Sequence, residues 1–239
     1  MLSVVIPAYN EEACLQENLA KVCEALARAG EPFEVIVVDD GSRDATAAIS
    51  AEAARADARI RLVRLSMNRG KGAAVREGAL QARGDFVFFL DADLSTSPEE
   101  IGRFLPALRD GTPIVLGSRR REGSRILRHQ SRLREGMGRV FTRLAAWLAG
   151  PGVTDFTCGF KGFSAGAARE IFSRLTIDRW AFDAEIVAIA RARGIRIVEI
   201  PVTWTNDPGS HVRMLRDAVV SFFALLRIAR GRLAGRYRR

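Results

Sequence analysis

Phe86-Val87-Phe88-Phe89-Leu90-Asp91-Ala92-Asp93 is an unbroken apolar run that ends in two carboxylates one residue apart. A run this short and this apolar fits a strand buried on both faces, as in the middle of a parallel sheet. The two acids then fall at the strand's carboxyl end. Crowded carboxylates repel, so such a pair either caps the following helix or shares a cation. Magnesium and manganese suit the second role, because hard cations take carboxylate oxygens and share them with substrate phosphates. Ser97-Pro98-Glu99-Glu100, just beyond, starts a helix of its own with proline in the first turn.

Working outward, short apolar runs alternate with helical patterns, the layout of an α/β fold with a mostly parallel sheet covered on both faces. The reading places strands at Ser3–Ala8, Phe33–Asp39, Ile60–Leu65, Phe86–Leu90 and Ile114–Gly117, with helices at Glu11–Ala29, Asp44–Arg55, Gly72–Ala82 and Pro98–Arg109. After residue 119 the rhythm breaks. An arginine- and glycine-rich stretch to Gly138 leads into an apolar helix, followed by a strand at Gly159–Ser164, a helix from Ala165, a helix over Phe182–Ala192 and a strand at Arg196–Pro201. One Rossmann-like catalytic domain is expected over 1–210, with a basic amphipathic helical tail over 211–239.

In open α/β sheets ligands bind beyond the carboxyl ends of the strands. Strand one runs into Pro7-Ala8-Tyr9-Asn10-Glu11-Glu12, strand two into Asp39-Asp40-Gly41-Ser42 and strand four into Asp91-Ala92-Asp93. Three acidic clusters therefore converge on one rim. For Asp39 and Asp40 an Asx turn before Ser42 is an equal alternative, and one acid can cap while the other faces ligand. Gly70-Lys71-Gly72 is too short for a phosphate loop by itself and reads as a tight turn that brings Lys71 near an anionic ligand.

These blocks, with Val4-Val5-Ile6 before the first, Val37-Val38 before the second and Asn68-Arg69 before the glycine turn, resemble the inverting GT-A glycosyltransferases. Gly117-Ser118-Arg119, Asp155-Phe156-Thr157-Cys158-Gly159-Phe160-Lys161 and Arg179-Trp180-Ala181-Phe182-Asp183-Ala184-Glu185 are similar to the dolichyl-phosphate sugar synthase branch, and most to its glucosyl-transferring members. The resemblance implies that a nucleotide-sugar donor is bound by Pro7, Ala8, Tyr9, Asn10, Glu11, Asp39, Asp40, Lys71, Asp91, Ala92 and Asp93. It implies Mg2+ or Mn2+ on Asp91 and Asp93, with Ser95 standing where mannosyl relatives place a glutamine. Asp93 is expected to be catalytic. So are Arg119 and an arginine of Ser131-Arg132-Leu133-Arg134, facing an acceptor phosphate, with Arg134 ahead of Arg132. Gly209-Ser210-His211 replaces a Gly-Ser-Lys of the relatives, so that Ser210 and His211 become candidate phosphate or metal contacts in place of a fixed charge.

The chemistry implied is displacement at the anomeric carbon by an acceptor phosphate. A phosphate monoester is already ionised at neutral pH, so the reaction needs cations to position it rather than a base. Asp183 and Glu185 then read as structural. The formal charge of +9, carried almost wholly by arginine, calls for an anionic partner. A polyprenyl-phosphate lipid and an anionic membrane surface satisfy it, whereas a nucleic acid would be repelled by the acidic strand ends and would find no aromatic-interleaved basic stripe.

No signal peptide is read at the amino terminus and no run reaches the roughly 18 apolar residues of a spanning helix. Peripheral contact with the inner, cytoplasmic face of a membrane is expected, with a separate membrane anchor protein as a further candidate partner. Leu133, Met137, Val140, Phe141, Leu144, Trp147 and Leu148 share one helical face, with Arg128, Arg132, Arg139 and Arg143 on the flank opposite. That pattern fits an interfacial helix or an ordinary core-facing one. Cys14, Cys23 and Cys158 have no ligand spacing, and the first two lie roughly 13 Å apart along a helix, too far to bridge. Rival readings are a polyprenyl-phosphate mannose synthase using GDP-mannose, a family member acting on a soluble or protein acceptor, and a non-catalytic binder of lipid carriers.

Overall fold

Runs of five to seven residues become the strands of the main sheet, and the computed structural model describes residues 1–206 and 214–238. In chain order the elements are β1 (Leu2–Ala8), α1 (Leu15–Arg28), β2 (Phe33–Asp39), α2 (Thr46–Ala56), β3 (Ile60–Arg64), α3 (Lys71–Leu80), β4 (Phe86–Leu90), α4 (Ile101–Arg109), β5 (Ile114–Ser118), β6 (Arg125–Arg128), α5 (Arg132–Leu148), β7 (Phe160–Ser164), α6 (Ala165–Phe172), α7 (Phe182–Ala192), β8 (Ile197–Pro201), β9 (Thr203–Thr205) and α8 (Met214–Leu233). Seven strands form one sheet in the order β3-β2-β1-β4-β7-β5-β8. All neighbours pair parallel except β7, which runs antiparallel to both β4 and β5.

Strand alternation sends successive side chains to opposite faces. In β1 and β4, Val4, Ile6 and Phe88 join one buried layer with Leu15, Leu19 and Phe104, while Val5 and Phe89 join the other with Val75 and Phe182. The helices above and below are thus held by two separate apolar layers, which is the expected α/β arrangement. The expected first helix begins later, at Leu15, because the backbone N–H groups of Glu11 and Glu12 bond to Thr46 and Asp44 across the neighbouring loop.

Two features were not foreseen. The antiparallel course of β7 follows from the long excursion through β6 and α5, which returns the chain to the sheet from its far end. Gly162 permits the insertion, since a Cβ there would meet the Phe88 ring. The short parallel pair β6 and β9 was also unread: Arg-Ile-Leu-Arg has no burial alternation, and only Ile126 of it is not exposed.

The segment separated as a tail is packed into the domain. Leu225, Ile228 and Tyr237 lie in the same buried layer as Phe89 and Phe182, so residues from 214 onward complete the core rather than append to it. The single apolar face expected for the helix after residue 131 is divided between two environments. Ala145 and Leu148 are buried and Phe141 and Leu144 pack against the core, while Leu133, Val140 and Trp147, seven residues apart, are exposed at 64%, 55% and 77%.

Candidate active site

The loops after β1 and β2 are laced together before any ligand is considered. Asn10 takes a left-handed conformation, φ 57°; its N–H donates to Ser42 Oγ at 3.0 Å and its Oδ1 accepts from Arg43 N–H at 2.9 Å. Asp39 Oδ1 accepts from Ser42 N–H at 2.9 Å, the Asx turn allowed for in the sequence. Its buried Oδ2 has no hydrogen bond, only the Arg64 guanidinium 3.3 Å away. Asp39 therefore caps with one oxygen and keeps the other as a buried acceptor facing Arg64, at the end of the strand that pairs with Pro7 and Ala8.

Asp40 departs from the expectation of ligand contact. Its carboxylate accepts from Asn68 Nδ2, Arg69 N–H and Gly70 N–H at 3.0, 2.7 and 2.8 Å. With both oxygens accepting and only 3% of its surface exposed, it anchors the loop that leads to Lys71. Burial raises its pKa, and those two backbone N–H groups oppose the rise. Gly41 makes the anchor possible: at φ 69° its missing Cβ would strike the Met67 backbone.

Asp91, Asp93 and Lys71 meet at the β4 end. Lys71 Nζ forms an ion pair with Asp91 Oδ1 and lies 5.8 Å from the Trp180 ring centroid. Burial pulls the Lys71 ammonium down, but Asp91, backed by Asp183 and Asp93, outweighs it and leaves the pKa above the ordinary lysine value. Asp93 accepts from Ser95 N–H at 2.9 Å. Burial first, then the Asp91 charge, pushes the Asp93 carboxyl above the usual range. A cation between the two acids would relieve that repulsion. Asp91 Oδ1 is buried with the Lys71 ammonium as its partner, and a Cβ on Gly159 would land on the Asp91 carboxylate. The pair therefore fits a hard divalent ion. Among the described residues no three His, Cys, Asp or Glu side chains cluster to enclose one, and substrate phosphates are suited to share an ion held by two carboxylates.

Behind this pair lies a second, buried one. Lys161, fully enclosed, donates to Cys158 C=O at 2.6 Å and pairs with Asp183 Oδ1 at 2.6 Å. Burial raises the Asp183 pKa while Lys161 and Lys71 oppose it. Glu185, by contrast, faces away into the core and holds the 176–177 backbone.

Arg119 reaches the same rim but is not a free cation. Its Nε and Nη2 donate to Asp155 at 2.7 and 2.9 Å, Nη2 also donates to Thr157 Oγ1 at 2.8 Å, and the guanidinium stands 5.2 Å from the Trp204 centroid. Glu199 in turn fixes the partner, accepting from Thr154 N–H and Asp155 N–H at 2.8 and 3.0 Å. Despite burial, Arg119 holds the Asp155 carboxyl far below the usual range. Arg119→Ala is therefore expected to lower stability by about 3–5 kcal/mol, as for other broken buried pairs, besides any effect on turnover. Urea unfolding of the variant checks this; unchanged stability would mean that Asp155 finds another partner.

Arg132, exposed, and Arg134, half-buried, occupy the first turn of α5, where Ser131 Oγ accepts from Arg134 N–H. Ser210 and His211 lie outside the described residues. Ser95 is present at the rim as the backbone cap of Asp93. Sequence reasoning gave no role to Gly159, Lys161 or Asp155 individually. Only the antiparallel β7, which sets Phe160 beside Leu90, brings Gly159 against Asp91.

A mostly parallel sheet with a metal-competent Asp-x-Asp at the end of a central strand defines a nucleotide-sugar glycosyltransferase of the GT-A class. Residues 3–172 match Glycosyl transferase family 2, and the chain belongs to that family. It is 35% identical to a dolichyl-phosphate beta-glucosyltransferase of Dictyostelium discoideum, over 91% of this chain and 72% of that protein. It is 36% identical to the Homo sapiens protein of the same name, over 87% of this chain and 68% of the relative. Its fold is shared with Mycobacterium tuberculosis glucosyl-3-phosphoglycerate synthase, solved with Mn2+, uridine diphosphate and glucosyl-3-phosphoglycerate. That similarity has a TM-score of 0.66 at 19% identity, covering 95% of this chain and 78% of the other.

Proposed function

We propose that this enzyme moves glucose from UDP-glucose, with inversion, onto the phosphate of a dolichyl- or polyprenyl-type lipid at the cytoplasmic face of a membrane. The names of its relatives support glucose as the sugar and dolichyl phosphate as the acceptor, over 91% and 87% of this chain. The observation that carries the mechanism is the charge order at the β4 end: Asp91 beside Lys71, Asp183 bound to Lys161, and Arg119 fixed on Asp155.

Asp91 and Asp93 would hold Mg2+ or Mn2+, which when bound supplies charge neutralisation to the departing diphosphate. Lys71, in the first turn of α3, would add its ammonium to the same anion. Asp39 Oδ2 offers an acceptor to a ribose hydroxyl. Asp183, engaged by Lys161, is poorly placed to take a proton, and an ionised phosphate nucleophile needs none. Arg119, Arg132 and Arg134 are the cations proposed to orient that phosphate, Arg119 by the edge not spent on Asp155. Turnover with UDP-glucose but not GDP-mannose is expected when a polyprenyl phosphate is supplied. Turnover with GDP-mannose alone would replace the donor without touching the fold.

No described helix is long and apolar enough to cross a membrane. The exposed Leu133, Val140 and Trp147 of α5 and Val219, Phe222, Phe223 and Leu226 of α8 lie on two helices packed together. Apolar stripes flanked by Arg132, Arg139, Arg227 and Arg230 suit insertion into an anionic interface. Binding to anionic vesicles is expected to weaken as salt rises, because exposed charges are screened. Flotation at increasing salt measures it, and salt-independent binding to neutral vesicles alone would contradict the electrostatic part.

A further inference from the structure

The last described turn of the chain, at Arg236–Arg238, reaches back into the core. Gly235, at φ 67°, reverses the backbone after α8, and Tyr237 folds under the helix against Gly231, where a Cβ would stand 3.1 Å from the Tyr237 hydroxyl. That hydroxyl, 2% exposed with its ring, donates to Glu185 Oε1 at 2.9 Å. Burial and the Glu185 charge both hold the phenol above its ordinary pKa, so it stays a donor.

Glu185 is itself fully buried on α7 and takes three more donors: Thr176 Oγ1 at 2.7 Å on Oε1, and Thr176 N–H and Ile177 N–H at 2.8 and 2.7 Å on Oε2. The 175–179 segment fixed in this way is the platform for the donor-side turn. Ala73 N–H donates to Asp178 C=O at 2.9 Å, and Arg76 donates to Leu175 C=O at 3.0 Å while pairing with Asp178 at 2.9 Å. Gly70 and Gly72 lie so close to Asp178 and Ile177 that neither could carry a Cβ. Lys71 stands between those two glycines.

We infer that Tyr237 and Glu185 are positioning residues for Lys71: the end of the chain sets the geometry of a cation in the donor site through the 175–179 platform. This rests on Lys71 as the donor-phosphate cation. It also makes the C-terminal segment part of the catalytic unit, joining Tyr237 to the rim through Glu185 and the 176–178 backbone.

The test is a mutant cycle on the full chain. Tyr237→Phe keeps the ring and removes one hydrogen bond to a charged group, so KM for UDP-glucose is expected to rise about fivefold to tenfold, with kcat within about twofold. Lys71→Met should raise that KM at least as much. In the Lys71→Met background Tyr237→Phe should then add nothing, since there is no ammonium left to position. Glu185→Gln, which presents an amide N–H2 to one pair of donors, should exceed Tyr237→Phe, and if it does not fold the tyrosine cycle stands alone. An equal Tyr237→Phe effect in both backgrounds would reveal general packing and overturn the inference. So would an unchanged KM in Tyr237→Phe, provided Lys71→Met raises it. An unchanged KM in Lys71→Met would sink the Lys71 reading and the inference together.

Discussion

Asp93→Ala is expected to reduce glucosyl transfer by about 10³-fold or more, the scale of several kcal/mol of lost charge stabilisation. Asp91→Ala should fall to a similar level. Both acids end β4, and neither has a described His, Cys, Asp or Glu cluster to replace it as a cation ligand. The fold should survive Asp93→Asn in particular. Burial and the Asp91 charge hold the Asp93 carboxyl above its unfolded value, so the folded chain binds that proton more tightly than the unfolded one. Its contribution to stability is then greatest at acid pH and is lost as pH rises through the folded pKa. At neutral pH in EDTA, Asp93→Asn should melt no lower than the parent. Activity retained in either alanine variant, or undiminished in EDTA, would remove the cation from the account.

Gly159→Ala is the second large effect. The backbone there is not in the left-handed region, so alanine is conformationally acceptable, and the added Cβ collides with one group, the Asp91 carboxylate. Displacing a catalytic group by about 1 Å can cost on the order of 10²-fold in rate. A loss of that order is expected in kcat/KM, with little change in thermal unfolding. Lost cation binding should accompany it, measured as weaker Mn2+ affinity by paramagnetic resonance. Full activity would mean that Asp91 has room to move and that the close approach at Gly159 is incidental.

How much of this was legible follows from what each residue's signal depends on. The strands β1, β2 and β4 and their acidic ends read directly from the sequence, because burial on both faces writes an unbroken apolar run and the ligand rim lies where it stops. Asp40 and Arg119 look like ligand-facing residues by type and position. Asp40 is committed to the 68–70 segment and Arg119, by one edge, to Asp155, partners distant in sequence that nothing local encodes. Gly159 and Lys161 act at the rim only because β7 runs backwards, a topological fact without a periodic signature. The tail's basic, amphipathic pattern predicts an exposed helix well, but it conceals Tyr237, whose burial depends on a turn at Gly235 and a gap at Gly231.

The central claim is that the nucleophile is a lipid phosphate which arrives already ionised. The most direct measurement incubates the purified chain, labelled UDP-glucose and Mn2+ with vesicles carrying either a polyprenyl phosphate or the parent polyprenol. The product is identified by mass. Glucosylated polyprenyl phosphate should form from the first, and none from the alcohol, since Asp183 is engaged by Lys161 and Asp155 by Arg119, which leaves neither placed to deprotonate a hydroxyl. Glucosylation of the alcohol, or efficient transfer to 3-phosphoglycerate with the lipid phosphate inert, would contradict it.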